Sequence, residues 1–218
     1  METSLHRQIK EEFGGEAGGR TEVVVHGFRI DAVSAEGELI EVQSAALGPL
    51  RAKLRRLLDD HRIRVIKPVV LRRRVVRRAR RDGADLSARL SPKRGAVLDV
   101  FDDLLGLRTI FPHRNLTLEV WGVDIDEVRI PRRRWPGYAV VDRRLSRVAA
   151  RTALRRPEEL WGLLPGGLAE PFTTRDLADR LERPLAFAQR VAYCLRHAGA
   201  ARSLGKRGRF ELYARGDV

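Results

Sequence analysis

Two short apolar strands, one carrying Asp31 and the other Glu41 with nine residues between the two acids, constrain this chain more than any other feature. Phe28-Arg29-Ile30-Asp31-Ala32-Val33 is followed by a turn at Ala35-Glu36-Gly37 and then by Glu38-Leu39-Ile40-Glu41-Val42-Gln43. Side chains alternate faces along a strand, so Glu41 and Gln43 project from one side while Ile40 and Val42 enter a core. The turn is short enough for an antiparallel hairpin, and a register that sets Asp31 on the face of Glu41 brings the two carboxylates together. Two such acids can hold one Mg2+ ion.

The flanking pattern predicts a helix from Leu5 to Phe13, stopped by Gly14-Gly15, and a β-branched strand from Thr21 to Val25. After the carboxylate strands, Pro49 and the apolar positions Leu50, Leu54, Leu57 and Leu58 mark a second helix. Ile63 to Leu71 then reads as a buried strand edged by Pro68. The order is α-β-β-β-α-β across residues 4 to 71, and it resembles the PD-(D/E)XK, or restriction-endonuclease-like, nuclease superfamily. Within it the two-domain order looks closest to uncharacterised bacterial proteins. The resemblance implies an α/β fold with a mixed sheet and hydrolysis of nucleic-acid phosphodiester bonds. It makes Asp31 and Glu41 the motif acids, and Asp31, Glu41 and Val42 the ligands of Mg2+ or Mn2+. Gln43 stands where the family has lysine; an amide can orient water but cannot place a positive charge. Lys53, on the second helix, is the expected substitute, with Lys67 the alternative; Glu12, or Glu11, is a candidate further acid and His26 a candidate neighbour of the metal.

Charge fits a polyanionic partner, since 43 Lys and Arg against 29 Asp and Glu give +14 at pH 7 and a pI near 11.1. The densest run, Arg72 to Arg81, reads equally as a solvated hairpin or linker and as a phosphate-contact surface. Ser91-Pro92 predicts a capped helix whose N-terminus, flanked by Lys93 and Arg94, suits phosphate. Leu116 to Val123 predicts a strand with a short return at Val128 to Ile130.

Pro131 to Gly137 reads as a linker, dividing the chain into a nuclease-like domain, 1–134, and a helical linker with a second module, 135–218. Leu145, Val148 and Ala149 suggest a helix, and Pro157 to Trp161 the start of another. Thr173-Thr174-Arg175-Asp176 predicts a capping box, residues 184 to 198 a longer helix, and Gly205-Lys206-Arg207-Gly208 the tip of a basic hairpin. Residues 172 to 215 thus resemble a winged helix-turn-helix domain, which implies that Gln189, Arg190 and Arg196 read nucleic acid and that Lys206 and Arg207 touch its backbone. Winged helices also dock proteins, which leaves an adaptor as a further reading. Cys194 stands alone and reads as core. With no signal-like start and no apolar stretch of the ~20 residues needed to span a bilayer, the expectation is a cytoplasmic protein without membrane contact. The expected function is a metal-dependent endonuclease acting on nucleic acid, DNA first, with a catalytically inactive nucleic-acid-binding or regulatory protein as the alternative. One site cuts one strand, so duplex cleavage requires a homodimer, two nicks or a second enzyme.

Overall fold

The computed structural model describes residues 3–14 and 19–216 and shows a mixed α/β fold with one seven-stranded and one three-stranded sheet. The chain divides into two compact units that interleave along the sequence. One comprises Met1–Ser44, Arg62–Val97 and Glu119–Thr152, the other Ala45–His61, Leu98–Leu118 and Ala153–Val218.

The first unit opens with α1 (Ser4–Gly14), β1 (Arg20–Val25), β2 (Phe28–Val33) and β3 (Leu39–Val42). It continues with β4 (Ile63–Arg78), β5 (Asp85–Leu90), β6 (Leu116–Pro131) and β7 (Tyr138–Leu154). The sheet runs β1-β2-β3-β4-β6-β7, with β5 paired to β4. β1 and β2 are antiparallel around His26 and Gly27, whose positive φ values of 48° and 80° suit a tight hairpin turn. β2 and β3 are antiparallel, whereas β3 and β4 are parallel and so need the long crossover that contains α2 (Arg51–Leu57). One face is closed by Leu5 and Ile9 of α1 packed with Ala32, Ile40, Val42, Ile66 and Trp121. Ser4 fastens α1 to β7, its N–H and hydroxyl both donating to the Asp142 carboxylate at 2.9 and 2.8 Å.

The second unit contains α2, the short helix α3 (Phe101–Leu104) and a 3-10 turn at Pro157–Leu163. After these come β8 (Phe172–Thr173), α4 (Thr174–Leu181), α5 (Leu185–Ala198), β9 (Ala201–Arg207) and β10 (Phe210–Arg215). Its sheet has the order β8-β10-β9, both pairings antiparallel. The expected capping box is present: the Asp176 N–H donates to Thr173 Oγ1, and the Asp176 carboxylate accepts the Thr173 N–H at 2.7 Å. α5 buries Phe187, Ala188, Val191, Ala192, Cys194, Leu195 and Ala198 and ends at Gly199, in the left-handed conformation. Burial pushes the Cys194 thiol up to about 12, and Sγ lies 3.7 Å from the Phe101 carbonyl, so this cysteine is core.

Four local expectations are corrected. Residues 145 to 149 lie on strand β7, where Leu145 and Val148 pack against the core beside α1. Pro131 to Gly137 is a turn joining β6 to β7, closed by Arg132 N–H to the Gly137 carbonyl at 3.0 Å. Residues 135 to 152 therefore belong to the same unit as Asp31. Leu116 to Pro131 is one continuous strand of 16 residues, and β4 runs on through Arg72 to Arg78 before returning as β5. No helix starts at Pro92: Ser91 Oγ accepts the Lys93 N–H at 3.2 Å, Arg94 donates to the Ser91 carbonyl at 2.8 Å, and helical turns begin only at Val97. Lys93 and Arg94 consequently flank a turn. The Gly15 half of the first helix stop lies outside the described residues.

Candidate functional site

The β2–β3 ladder pairs Val33 with Leu39 and Ala32 with Ile40 and brings Asp31 to the end of the paired segment, next to the Glu41–Val42 stretch of β3. Glu41 leaves the side opposite Ile40 and Val42, whereas the Asp31 carboxylate turns into the gap at the end of the ladder, between β3 and α1. There a carboxylate replaces the expected carbonyl: Asp31 Oδ2 accepts the Val42 N–H at 2.8 Å. The other oxygen, Oδ1, lies 3.2 Å from His6 Nε2 on α1. Both side chains are about four-fifths covered, at 21% and 22% exposure. On a strand the N–H and C=O of one residue point the same way, so the Val42 carbonyl shares the Asp31 side of β3.

The parallel β3–β4 register pairs Glu41 with Val65 and Val42 with Ile66, and its next step sets Gln43 beside Lys67. Lys67 thus leaves the same face as Glu41 and Gln43. It is only 5% exposed, and its ammonium lies 3.4 Å from the Ser44 carbonyl. The Gln43 N–H donates to the Ile66 carbonyl at 2.9 Å, and beyond it Pro68 has no N–H with which to continue the pairing. Lys53 is on α2, in the second unit, whereas Lys67 shares the unit of both acids and the strand face of Glu41.

Two carboxylates and a carbonyl suit a small hard cation that keeps waters and borrows further oxygens from a phosphate. Among the described residues no three His, Cys, Asp or Glu side chains form a ready-made metal cluster. Glu12 is ion-paired to Arg151, and His26 forms the β1–β2 turn. His6 was not marked by sequence reasoning, because only the docking of α1 brings it to Asp31.

In the second unit, Gln189, Tyr193 and Arg196 are exposed on the outer side of α5, as the apolar stripe predicts. Arg190 instead donates to Asp102 at 2.5 Å. On the hairpin, Lys206 is exposed, while Arg207 is ion-paired to Asp176 at 2.6 Å. The Thr173 N–H, and after it the Thr173 hydroxyl and Arg207, hold the Asp176 carboxyl below its usual range. Among the described residues no helix is long and apolar enough to cross a membrane.

Residues 3–155 match the family described as Domain of unknown function (DUF8091). An uncharacterized protein of Treponema pallidum (strain Nichols) is 33% identical over 217 residues, covering 97% of this chain and 84% of the relative. No solved structure matches. The family match takes in α1 and the strands through β7 and stops before α4, α5 and the β9–β10 hairpin, and by that match the chain belongs to the DUF8091 family.

Proposed function

We propose that this chain is a metal-dependent endonuclease of the PD-(D/E)XK kind, acting in the cytoplasm on nucleic acid, DNA first. The observation that carries the reading is the register. Glu41 pairs with Val65 across β3–β4, so Lys67, two residues on, leaves β4 on the face of Glu41, and Asp31 accepts the Val42 N–H at the end of the β2–β3 ladder. Asp31, Glu41 and the Val42 carbonyl are the residues that would hold Mg2+ or Mn2+. Bound there, such a cation supplies Lewis-acid neutralisation of phosphate charge and a more acidic attacking water.

The remaining work falls to side chains. The Lys67 ammonium, lacking bulk water around it, stabilises negative charge that develops on the phosphate, the task Gln43 cannot perform. The Gln43 amide orients the attacking water through a hydrogen bond. His6 and the Val42 N–H hold the Asp31 carboxylate in one orientation. We read residues 172 to 215 as a winged helix that grips the same substrate through Gln189, Arg196 and Lys206. Arg190 and Arg207 carry less of that contact, because each is already paired with an acid. Cleavage of both strands of a duplex would come from a homodimer or from two successive nicks.

The test incubates wild type and Glu41→Ala with labelled single-stranded, duplex and branched DNA and with RNA, in Mg2+, Mn2+ or EDTA, and reads cleavage and binding together. Metal-dependent cutting by wild type that disappears in Glu41→Ala is expected. Tight, salt-sensitive binding with no cutting by either protein would replace this reading with that of a catalytically silent nucleic-acid-binding protein.

A further inference from the structure

Residues 72–94 hold ten Lys and Arg against two Asp, and residues 124–147 hold seven Arg against four acids. These two stretches therefore supply eleven of the chain's fourteen net positive charges. Both lie in the first unit, on the strand pairs β4–β5 and β6–β7. Between them is a cavity of about 280 Å3 lined by Arg77, Arg89, Arg129, Gly137 and Tyr138.

The convergence follows from register. Arg77 pairs with Ser87 and Arg89 with Val75, so both arginines leave one face of the β4–β5 ribbon at neighbouring positions. Arg129 is preorganised: its guanidinium lies 3.9 Å from the Tyr138 ring centroid and donates to Glu127 at 2.6 Å. Glu127 is only 2% exposed and also faces Arg73 and Arg143, so a single carboxylate answers three guanidiniums. Arg77 and Arg89 are exposed and meet no carboxylate among the described residues. Unanswered guanidiniums around a concavity fit the forked geometry of a phosphate oxygen pair.

We propose that this cavity binds a backbone phosphate of a nucleic acid, with Arg77 and Arg89 as the contacting groups. A polymer is favoured over a small phosphate because exposed arginines continue past the cavity, at Arg80 and through Arg132–Arg134. Trp135, at the β6–β7 turn, is 93% exposed and offers a ring on which a base can stack. A lipid surface is disfavoured, since Leu86 and Leu90, the exposed apolar residues of β5, leave the face opposite Arg89. Arg77 lies eleven residues along β4 from Ile66, the partner of Val42, or about 36 Å of strand, roughly one turn of duplex from the candidate metal residues. The inference borrows only the nucleic-acid partner from the nuclease reading.

The experiment measures binding of a labelled DNA duplex of about two helical turns in EDTA, as a function of salt. It compares wild type, R77A/R89A, and R56A/R114A, which removes the same charge from exposed sites in the second unit. Competitors are inorganic phosphate, a nucleoside monophosphate and phosphatidylserine vesicles, and circular dichroism checks that each variant is folded. R77A/R89A should bind at least about tenfold more weakly, with a salt slope lower by about 2, while R56A/R114A stays close to wild type. Equal losses in the two double variants would overturn the proposal. So would preferential binding to vesicles, or displacement of the duplex by inorganic phosphate as readily as by unlabelled DNA. If R77A/R89A loses binding while wild type never cleaves, the pocket stands and the nuclease reading falls; cleavage and binding both indifferent to R77A/R89A give the reverse.

Discussion

Lys67 and Lys53 are separated by thirteen residues of chain and by the boundary between the two units, and only Lys67 shares a strand face with Glu41. Sequence reasoning preferred Lys53 because a lysine near a helix start can reach back over a sheet, a choice that depends on where the helix points its side chains. Register removes that freedom for Lys67, since parallel pairing with β3 dictates which way it leaves β4. Lys67→Ala is expected to lower the cleavage rate about 100-fold, with binding in EDTA changed much less. Lys53→Ala should stay near wild type. Because Lys67 is buried, Lys67→Met serves as a second variant that preserves bulk, and melting curves of both check the fold. A loss confined to Lys53→Ala would assign the role to Lys53 instead. His6 carries no sequence signal at all; its place beside Asp31 is a product of how Leu5 and Ile9 seat α1.

Among the elements, those with a single strong local signal form where the pattern puts them. The Leu5, Ile9 and Phe13 stripe gives α1, the alternating runs around Asp31 and Glu41 give β2 and β3, and the Thr173–Asp176 capping box starts α4. The misread segments are those whose local signal is ambiguous. Leu145 and Val148 have a spacing compatible with a helix, yet the chain pairs as β7 because β6 presents a long partner strand beside it. Ser91-Pro92 satisfies the chemistry of a helix start, but its backbone groups are taken by Arg73 and by a local turn. In the second unit the 3-10 turns at Gly48–Leu50 and Leu105–Leu107 meet through bare backbone. A Cβ on Gly106 would lie 2.5 Å from the Gly48 nitrogen, a clash with main chain that no rotamer relieves. Gly106→Ala should therefore cost about 1–3 kcal/mol in a thermal or urea melt, whereas alanine at Gly162, where a Cβ meets nothing within 4 Å, should cost far less.

For the molecule as a whole, acid is the condition most damaging to its network of arginine and carboxylate pairs. Hydrogen bonding to Arg74 holds Asp126 below its usual range. Burial would raise Asp142, but hydrogen bonds from the Ser4 N–H and hydroxyl, Arg144 and the Arg143 N–H together outweigh it and leave that carboxyl lowered too. Asp176, in the second unit, is lowered as well, so both units carry the effect. A depressed folded-state pKa adds stability above the unfolded value and loses it as pH falls through the folded one. Urea melts should change little between pH 7 and 5 and weaken progressively below about pH 4. A loss centred near pH 6.5 would instead point to histidines. From the sequence alone came the mixed α/β class, the two acids on adjacent strands, the capped helix pair with its basic hairpin, and the charge surplus. Apart from the charge surplus, a sum over the whole chain, each depends on patterns within a dozen or so residues, where side-chain alternation and capping chemistry act directly. Only the tertiary structure decided that Lys67 shares a strand face with Glu41, that His6 reaches Asp31, that β7 joins the first sheet, and that arginines from three strands meet around one cavity. Those placements depend on strand register and on the docking of distant segments, which are selected by the burial of the whole core rather than by any local run of residues.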